Sequence, residues 1–140
     1  MALPTKLTLE IVTPDRALLT EEVDEVQVPG SEGNLGILPG HTPLLATLKV
    51  GELWYRTGQE RHFLAIAFGF VEVRPDRVTI LAQVAERAGE IDVTRAEGAR
   101  KRAEERMSRP VPEMDFDRAR IAMMKSLIRL QVANRARTRI

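Results

Sequence analysis

Two runs of basic residues in the C-terminal third of the chain have the spacing of one helix face. The first run contains Arg95, Arg102 and Arg106, and the second contains Arg118, Lys125 and Arg129. Residues three, four or seven positions apart share a stripe of an α-helix. Because arginine makes forked contacts with phosphate, the two stripes predict a site for a polyanion. Spacing alone leaves open the alternative that both stripes are solvated faces of amphipathic helices.

Other motifs offer less chemistry. The glycine-rich stretch 30–36 lacks the Gly-Lys-Ser/Thr ending of a P-loop, and Gly33 and Gly36 are interpreted as the bounds of a tight loop. His41 follows a Pro-Gly turn, where it either bonds to backbone or contacts a partner, and His62 is predicted to be an exposed strand residue. With no cysteine and two histidines, the sequence predicts no catalytic residue and no metal site.

Short strand candidates separated by turn signals fill the first 84 residues. They are residues 6–12, 17–20, 23–28, 44–50, 52–56, 61–67, 70–74 and 78–82. Such closely spaced strands predict an all-β sandwich or barrel. An acidic cluster predicts a solvated sheet edge that resists pairing with another strand. The cluster consists of Glu21, Glu22, Asp24 and Glu25.

After Gly89 the apolar pattern changes to a helical period. The predicted boundaries are Asp92 or Thr94 to about Met107 for one helix, and Asp115 or Asp117 to about Ala136 for the next. The short proline-containing connection predicts an antiparallel hairpin. Apolar residues cover roughly 220° of the second helix at 100° per residue. One small-residue partner helix cannot cover so wide an arc, so the β-module or another protein must cover the rest.

The net charge of +1 conceals a division of the chain. Residues 1–86 contain 7 Lys and Arg against 12 Asp and Glu, a net charge of −5, whereas residues 87–140 contain 14 against 8, a net charge of +6. This asymmetry predicts a β-sandwich domain over 1–86 and a helical domain over 87–140. The N-terminus has no secretion-signal pattern and no apolar run is long enough to span a bilayer, so the chain is expected to be cytosolic.

Residues 30–45 read Gly-Ser-Glu-Gly-Asn-Leu-Gly-Ile-Leu-Pro-Gly-His-Thr-Pro-Leu-Leu. This stretch closely resembles the signature loop of the epsilon-subunit family of F-type ATP synthases, and the similarity extends to residues 9–14, 68–73 and the closing helices. The resemblance implies an α+β fold, with a ten-stranded β-sandwich followed by an antiparallel helical hairpin. It implies a non-catalytic rotor-stalk subunit of a bacterial, proton-translocating synthase. Such a subunit lies at the cytoplasmic face of the plasma (inner) membrane and is attached only through the complex.

The same resemblance implies partners. The sandwich would dock on the gamma subunit and on the polar loops of the c-ring, with Glu32, Asn34 and His41 at that interface. Asn34 stands where some members have an acidic residue. The hairpin would be mobile. When compact it would permit rotation, and when extended into the alpha/beta catalytic head it would inhibit ATP hydrolysis.

Residues 91–96, Ile-Asp-Val-Thr-Arg-Ala, are similar to the element that binds ATP in some bacterial members. The resemblance assigns the following residues to that site: Glu86, Ile91, Asp92, Arg95, Ala96, Arg102, Arg118, Lys125 and Arg129. Asp92 would face the adenine and the basic residues would contact phosphates. Lys125 stands where well-binding members have arginine. ATP would be a regulatory ligand, and no cofactor is required.

Two other classes of function are open at this point. A nucleic-acid-binding module would use the basic helices, and its binding would fall steeply with salt. Such modules normally interleave more aromatic residues with their basic ones, whereas Trp54 and Tyr55 are the only tryptophan and tyrosine here. An enzyme would turn over a nucleotide and lose that activity in the Arg95→Ala variant.

Overall fold

A computed structural model of the chain describes residues 3–109 and 112–137. The chain divides into two compact units, Met1–Glu86 and Arg87–Ile140. The division falls where the net charge along the sequence changes sign. The first unit contains the β-strands, and the second contains the helices.

Eight strands lie within the described part of the first unit. They are β1 (Leu7–Val12), β2 (Ala17–Val23), β3 (Glu25–Gly30), β4 (Gly33–Ile37), β5 (Leu44–Leu48), β6 (Gly51–Thr57), β7 (Glu60–Arg74) and β8 (Arg77–Arg87). Their order is β2-β1-β8-β7-β5-β3-β4, and β6 pairs with both β3 and β7. The sheet therefore folds over on itself as a β-sandwich, as predicted. One layer is β4-β3-β6 with the first half of β7, and the other is β5, the second half of β7, β8, β1 and β2.

Alternation along the strands builds the core. In β1, Leu7, Leu9 and Ile11 are fully buried, while Thr8 and Glu10 between them are partly exposed. Successive side chains of a strand point to opposite faces, so every second residue of each inner strand faces the other layer. Leucine, isoleucine and valine make up most of this core. Burial of such side chains contributes about 25 cal/mol per Å² of apolar surface.

The strand count implied by the family resemblance is wrong for the part of the chain that the structure describes, which has eight strands rather than ten. Of the strands predicted from the pattern, the candidates at 61–67 and 70–74 are a single strand, β7 (Glu60–Arg74). It pairs with β6 through its first seven residues and with β5 through residues 69–73. A glycine that looks like a strand break in sequence lies inside the strand.

The join between the two halves of β7 is a distortion at Phe68 and Gly69. Both have positive φ angles, 59° and 140°. Inward-facing positions change across this point from even to odd residue numbers, which is what one extra residue in a strand produces. Only glycine fits at position 69, because a Cβ there would lie 2.0 Å from the carbonyl oxygen of Leu81. The glycine therefore lets the strand change faces without ending.

The stretch interpreted as a tight loop is instead strand β4. Gly30 pairs with Gly33, so only Ser31 and Glu32 form the turn of a β3–β4 hairpin. Gly33 has a φ of 135°, which suits a glycine beside a tight turn. Beyond Gly33 the chain stays extended because Leu35 and the fully buried Ile37 pack against the core. Tertiary packing outweighs the low strand propensity of glycine.

The second unit is a helical hairpin, as predicted. It contains a 3-10 turn at Ala88–Glu90 and two helices, α1 (Val93–Met107) and α2 (Glu113–Arg137). Asp92 caps α1, since its Oδ1 accepts a hydrogen bond from the Arg95 backbone N–H at 3.0 Å. The second helix starts two residues before the earlier predicted boundary, because the Pro112 carbonyl already accepts the first helical hydrogen bonds. Neither helix, within the described residues, is long and apolar enough to cross a membrane.

The two helices run antiparallel and share a seam of small residues. Val93 and Glu97 at the start of α1 line a cleft with Ala133 and Asn134 near the end of α2. The buried small residues recur every seven positions on each helix: Ala96 and Ala103 on α1, and Ala119, Ser126 and Ala133 on α2. Such spacing keeps them on one stripe of each helix. The buried Ser126 hydroxyl is satisfied, because it donates to the Ala122 carbonyl at 2.8 Å.

Candidate functional site

The six basic residues that form the two predicted stripes lie on one side of the hairpin. Arg95 and Arg102 each precede a buried alanine of α1 by one residue, and Arg118 and Lys125 precede Ala119 and Ser126 of α2 in the same way. One residue corresponds to 100° around a helix. Positions displaced in the same sense from the seam of an antiparallel pair point to the same side. Arg106 and Arg129, three residues after a seam position, lie on that side as well.

The opposite side of the hairpin confirms this geometry. Glu97 and Asn134 each follow a buried alanine by one residue, and both line the same cleft of about 340 Å³. This cleft contains a carboxylate, two amides and apolar side chains and has no basic residue. The hairpin therefore has a cationic side, which carries the six basic residues, and an opposite side whose cleft has none, although Arg120, one residue after Ala119, also points to that opposite side.

Most of the cationic side chains reach solvent. Those of Arg95, Arg102, Arg106 and Arg118 are exposed, and within the described residues none of these four forms an ion pair. Lys125 and Arg129 on α2 are half-buried. Four arginines without a carboxylate partner give this side of the hairpin an uncompensated positive field that attracts anions.

The cationic side begins at residues 91–96, the stretch that resembles an ATP-binding element. Ile91 and Ala96 are buried, so their part in any site is to hold the backbone in place. Asp92 is exposed, with Oδ1 bonded to the first turn of α1. Arg95 projects from that turn. The remaining residue that the resemblance assigned, Glu86, lies at the end of the first compact unit and is half-buried.

The three residues assigned to the subunit interface lie in consecutive parts of the first unit. Glu32 is exposed in the turn of the β3–β4 hairpin, and Asn34 is exposed on β4. His41 ends a turn in which its backbone N–H donates to the Leu38 carbonyl at 3.1 Å. The His41 Nδ1 lies 2.6 Å from the Thr42 carbonyl. Because a carbonyl can only accept, Nδ1 is the donor in this contact.

The sequence pattern did not reveal the exposed apolar residues of this first unit. Leu38 and Leu45 are 54% and 70% exposed, and Phe70 and Leu81 on the outer face of the sheet are each 52% exposed. The available signal was the alternation pattern, since Phe70 stands at an outward position next to the inward-facing Val71. Exposed large apolar side chains close together mark interaction surfaces.

His62 differs from its prediction as an exposed strand residue. It is half-buried, and its ring stacks on Tyr55 with the centroids 4.8 Å apart. Its Nε2 lies 3.7 Å from a Glu60 carboxylate oxygen. The strand register explains the contact, because Tyr55 and His62 are direct cross-strand partners.

Half of the acidic cluster is engaged in ion pairs rather than simply solvated. Asp24 pairs with Lys6 and accepts a hydrogen bond from the Gly58 N–H at 2.7 Å. Glu25 accepts from Arg56 Nε at 3.1 Å. The hydrogen bond from Lys6, followed by that from Gly58, holds the pKa of Asp24 below its usual value. Glu21 and Glu22 are exposed on the edge strand β2, as predicted.

Comparison with known families accounts for both units. Residues 6–88 match the beta-sandwich domain of the ATP synthase delta/epsilon chain, and residues 90–134 match its long alpha-helix domain. The ATP synthase epsilon chain of Syntrophobacter fumaroxidans is 52% identical, over 93% of this chain and 97% of that protein. The epsilon chain of Herpetosiphon aurantiacus is also 52% identical, over 95% and 98%.

Solved structures agree. The fold is similar to a chain in the Euglena gracilis mitochondrial ATP synthase OSCP/F1/c-ring structure, with a TM-score of 0.83 and 25% identity over 96% of this chain and 84% of that one. A chain of the Tetrahymena thermophila central stalk and c-ring shares the fold, with a TM-score of 0.57 and 17% identity. None of these relatives supports a nucleic-acid-binding module or an independent enzyme. The chain belongs to the ATP synthase epsilon chain family, the non-catalytic subunits of that complex.

Proposed function

We propose that this chain is the rotor-stalk subunit of a bacterial, proton-translocating ATP synthase, coupling the catalytic head to the c-ring. In this role it lies at the cytoplasmic face of the plasma (inner) membrane and is held there through the complex. The observation that carries the proposal is that epsilon chains align with both compact units, over more than nine-tenths of the chain. We assign a docking role to the sandwich and a regulatory role to the hairpin.

The sandwich docks on the gamma subunit and on the polar loops of the c-ring. Glu32, Asn34 and His41 supply polar groups, and the exposed side chains of Leu38 and Leu45 supply the apolar area. Interfaces combine a desolvated apolar centre with a polar rim, and this part of the first unit offers both.

The hairpin restrains ATP hydrolysis by reaching the alpha/beta catalytic head. Its cationic side, with Arg95, Arg102 and Arg118 exposed and without carboxylate partners, suits acidic segments of that head. Its α1–α2 seam consists of small residues, and the proposed switch needs two arrangements of these helices that differ by only a few kcal/mol. The hairpin thereby serves as the mobile regulator.

Reconstitution with an epsilon-depleted catalytic complex tests this role. ATPase rates are compared for the full chain and for a truncation ending at residue 88, with binding of both measured in parallel. We expect both chains to bind and the truncation to hydrolyse ATP several times faster. A full-length variant with Arg95, Arg102 and Arg118 changed to glutamine should behave like the truncation, whereas Arg100→Gln, which removes an ordinary surface pair, should not. Equal rates for full chain and truncation would refute the inhibitory hairpin.

ATP is proposed as a regulatory ligand of the hairpin, not as its substrate. The cationic side fits the triphosphate, because Arg95, Arg102 and Arg118 are exposed without ion-pair partners and Lys125 and Arg129 lie on the same side. Asp92 keeps α1 capped and so fixes where Arg95 emerges. Bound ATP brings a negative charge to this face, and a ligand stabilises the state it prefers only by its differential affinity.

Thermal melting of the isolated chain in the presence of ATP tests this proposal. The melting temperature should rise with ATP concentration, because a ligand that binds the folded state stabilises it by mass action. Arg102→Ala should remove the rise and Lys125→Arg should enlarge it, since arginine adds a forked phosphate contact. No shift at millimolar ATP would exclude an ATP switch of physiological affinity.

A further inference from the structure

We propose that β4 accepts an extended segment of a neighbouring subunit as an added strand, so that the sheet continues across the interface. The inference rests on the proposed docking of the sandwich and goes beyond it by naming the kind of contact. The strand concerned, Gly33–Ile37, lies at one end of the strand order. Within the described residues it pairs only with β3.

The hydrogen bonds around β3 show which backbone groups of β4 face outward. The Lys49 N–H donates to the Pro29 carbonyl at 3.0 Å, and the Ser31 N–H donates to the Thr47 carbonyl at 2.9 Å. Residues 29 and 31 therefore direct their groups toward β5. The backbone N–H and C=O groups of successive residues point to opposite edges of a strand. Those of Gly30, Val28 and Val26 therefore face β4.

The pairing register carries this alternation onto β4. Gly33, Leu35 and Ile37 pair with the β3 residues that face them, so their N–H and C=O groups point into the hairpin. Asn34 and Gly36 stand opposite Pro29 and Gln27, whose groups point the other way. The N–H and C=O of Asn34 and Gly36 consequently point away from the sheet. Two donors and two acceptors at strand spacing are the template for one more strand.

The two edges of the sheet differ in protection. At the other end of the strand order, β2 has Glu21 and Glu22 exposed, and charged side chains discourage a further strand. The edge strand β4 reads Gly-Asn-Leu-Gly-Ile and contains neither a charge nor a proline. Natural proteins seldom leave such an edge open, so this one is built to be covered in the assembled complex.

The side chains of β4 define the chemistry of the segment that fits. A Cβ at Gly36 would meet nothing within 4 Å, which leaves an open notch on the outer face beside Gln27. Leu35 on the inner face is only half-buried. The matching segment is extended and uncharged, with a large, preferably aromatic, side chain over Gly36 and an apolar one beside Leu35. A second copy of β4 would set glycine and asparagine against the notch and leave it unfilled.

Hydrogen–deuterium exchange of the full chain, free and bound to the epsilon-depleted synthase, tests the inference. In peptides covering residues 33–38 of the free chain, the amides of Asn34 and Gly36 should exchange fast and those of Leu35 and Ile37 slowly. In the complex, Asn34 and Gly36 should slow by at least about a hundredfold, because strand addition uses both amides. Binding without slower exchange at these two amides would overturn the inference while leaving the docking itself intact.

Substitution on the edge gives a second readout. Gly36→Pro removes an outward donor without touching the β3–β4 ladder, and Gly36→Lys adds a charge that resists pairing. Each should weaken binding to the complex by about tenfold or more, the loss expected for one or two hydrogen bonds. Gly89→Lys is the matched control, because its Cβ also meets nothing within 4 Å, and it should bind normally. Melting of each free variant checks that it folds.

The remaining outcomes separate the explanations. Failure of the unmodified chain to bind the depleted synthase would refute the proposed docking and, with it, this inference. Protection of Asn34 and Gly36 that increases with concentration in the free chain, together with a dimer mass in light scattering, would identify a second copy as the occupant and overturn the inference. Normal binding by well-folded Gly36→Pro and Gly36→Lys would also overturn it.

Discussion

The two compact units bury different kinds of side chain. The sandwich core is leucine, isoleucine and valine, with Leu53 and Ile80 among its fully buried members. The seam of the hairpin is alanine and serine, such as Ala103 and Ser126, and the larger buried side chains of this unit include Val132. Apolar burial contributes about 25 cal/mol per Å², so a buried leucine stabilises far more than a buried alanine. The comparison teaches that the sandwich has the more strongly stabilised core, which is the difference that the proposed rearrangement of the hairpin requires.

The largest expected effect comes from emptying the sandwich core. Leu53→Ala should lower the free energy of unfolding by about 3 kcal/mol, the middle of the range for buried leucines. Leu127→Ala on α2 should change it by less than about 0.5 kcal/mol, because Leu127 is 49% exposed. Urea denaturation followed by circular dichroism measures both. Similar losses from the two variants would remove the contrast between the units.

A slightly smaller effect is expected at the distortion in β7. Gly69→Ala should destabilise the sandwich by about 2 kcal/mol, since the φ of 140° and the approach of the Leu81 carbonyl both exclude a Cβ. Gly36→Ala is the control, because a Cβ at Gly36 meets nothing within 4 Å. Melting temperatures of the two variants make the comparison. An unchanged melting temperature in Gly69→Ala would mean that the strand can shift to admit a side chain.

The seam of the hairpin should be sensitive to added volume. Ala103→Leu overpacks the α1–α2 contact and should destabilise the hairpin by about 1.5 kcal/mol, leaving the sandwich unaffected. Amide exchange in α1 and α2 should accelerate, while the core strands keep their protection. Lys101→Leu, at an exposed position of the same helix, should have no such effect. Faster exchange in both units of Ala103→Leu would show that they unfold together.

The smallest effect expected is a dependence of sandwich stability on acid. The folded-state pKa of Asp24 is lowered, mainly by the Lys6 hydrogen bond. Its contribution is therefore fully present above the unfolded pKa of about 3.9 and is lost as the pH falls through the folded value. In Asp24→Asn the stability of the sandwich should fall less as the pH is lowered. Asp15→Asn, at an exposed turn position, should lose stability as the unmodified chain does. Identical acid profiles for Asp24→Asn and the unmodified chain would contradict the assignment.

Much of the architecture could be predicted from local pattern. The capping of α1 by Asp92 and the antiparallel hairpin follow from capping chemistry and a short connection. The strand character of Gly33–Ile37 could not be predicted, because it depends on pairing with β3 and packing of Leu35 rather than on propensity. Gly69 looked like a strand break because its place inside β7 depends on pairing with β5, which local propensity does not reveal.

The candidate site was predictable in part. Helical spacing placed the basic residues on two stripes, but only the buried small residues of both helices show that the stripes share a side. The contacts of Asp24 with Lys6 and Gly58 join positions 18 and 34 residues apart, which no local pattern reveals. The exposed Phe70 and Leu81 lie on neighbouring strands of a hairpin, and their outward direction depends on the register after the distortion.

The continuity of β7 has a mechanical consequence. One unbroken backbone of 15 residues belongs to both layers, pairing with β6 in one and with β5 in the other. The layers cannot slide past each other unless that backbone itself bends, because the link between them is covalent as well as packed. A body joined in this way resists shear and keeps its shape under load, as a part turning inside a rotary machine must.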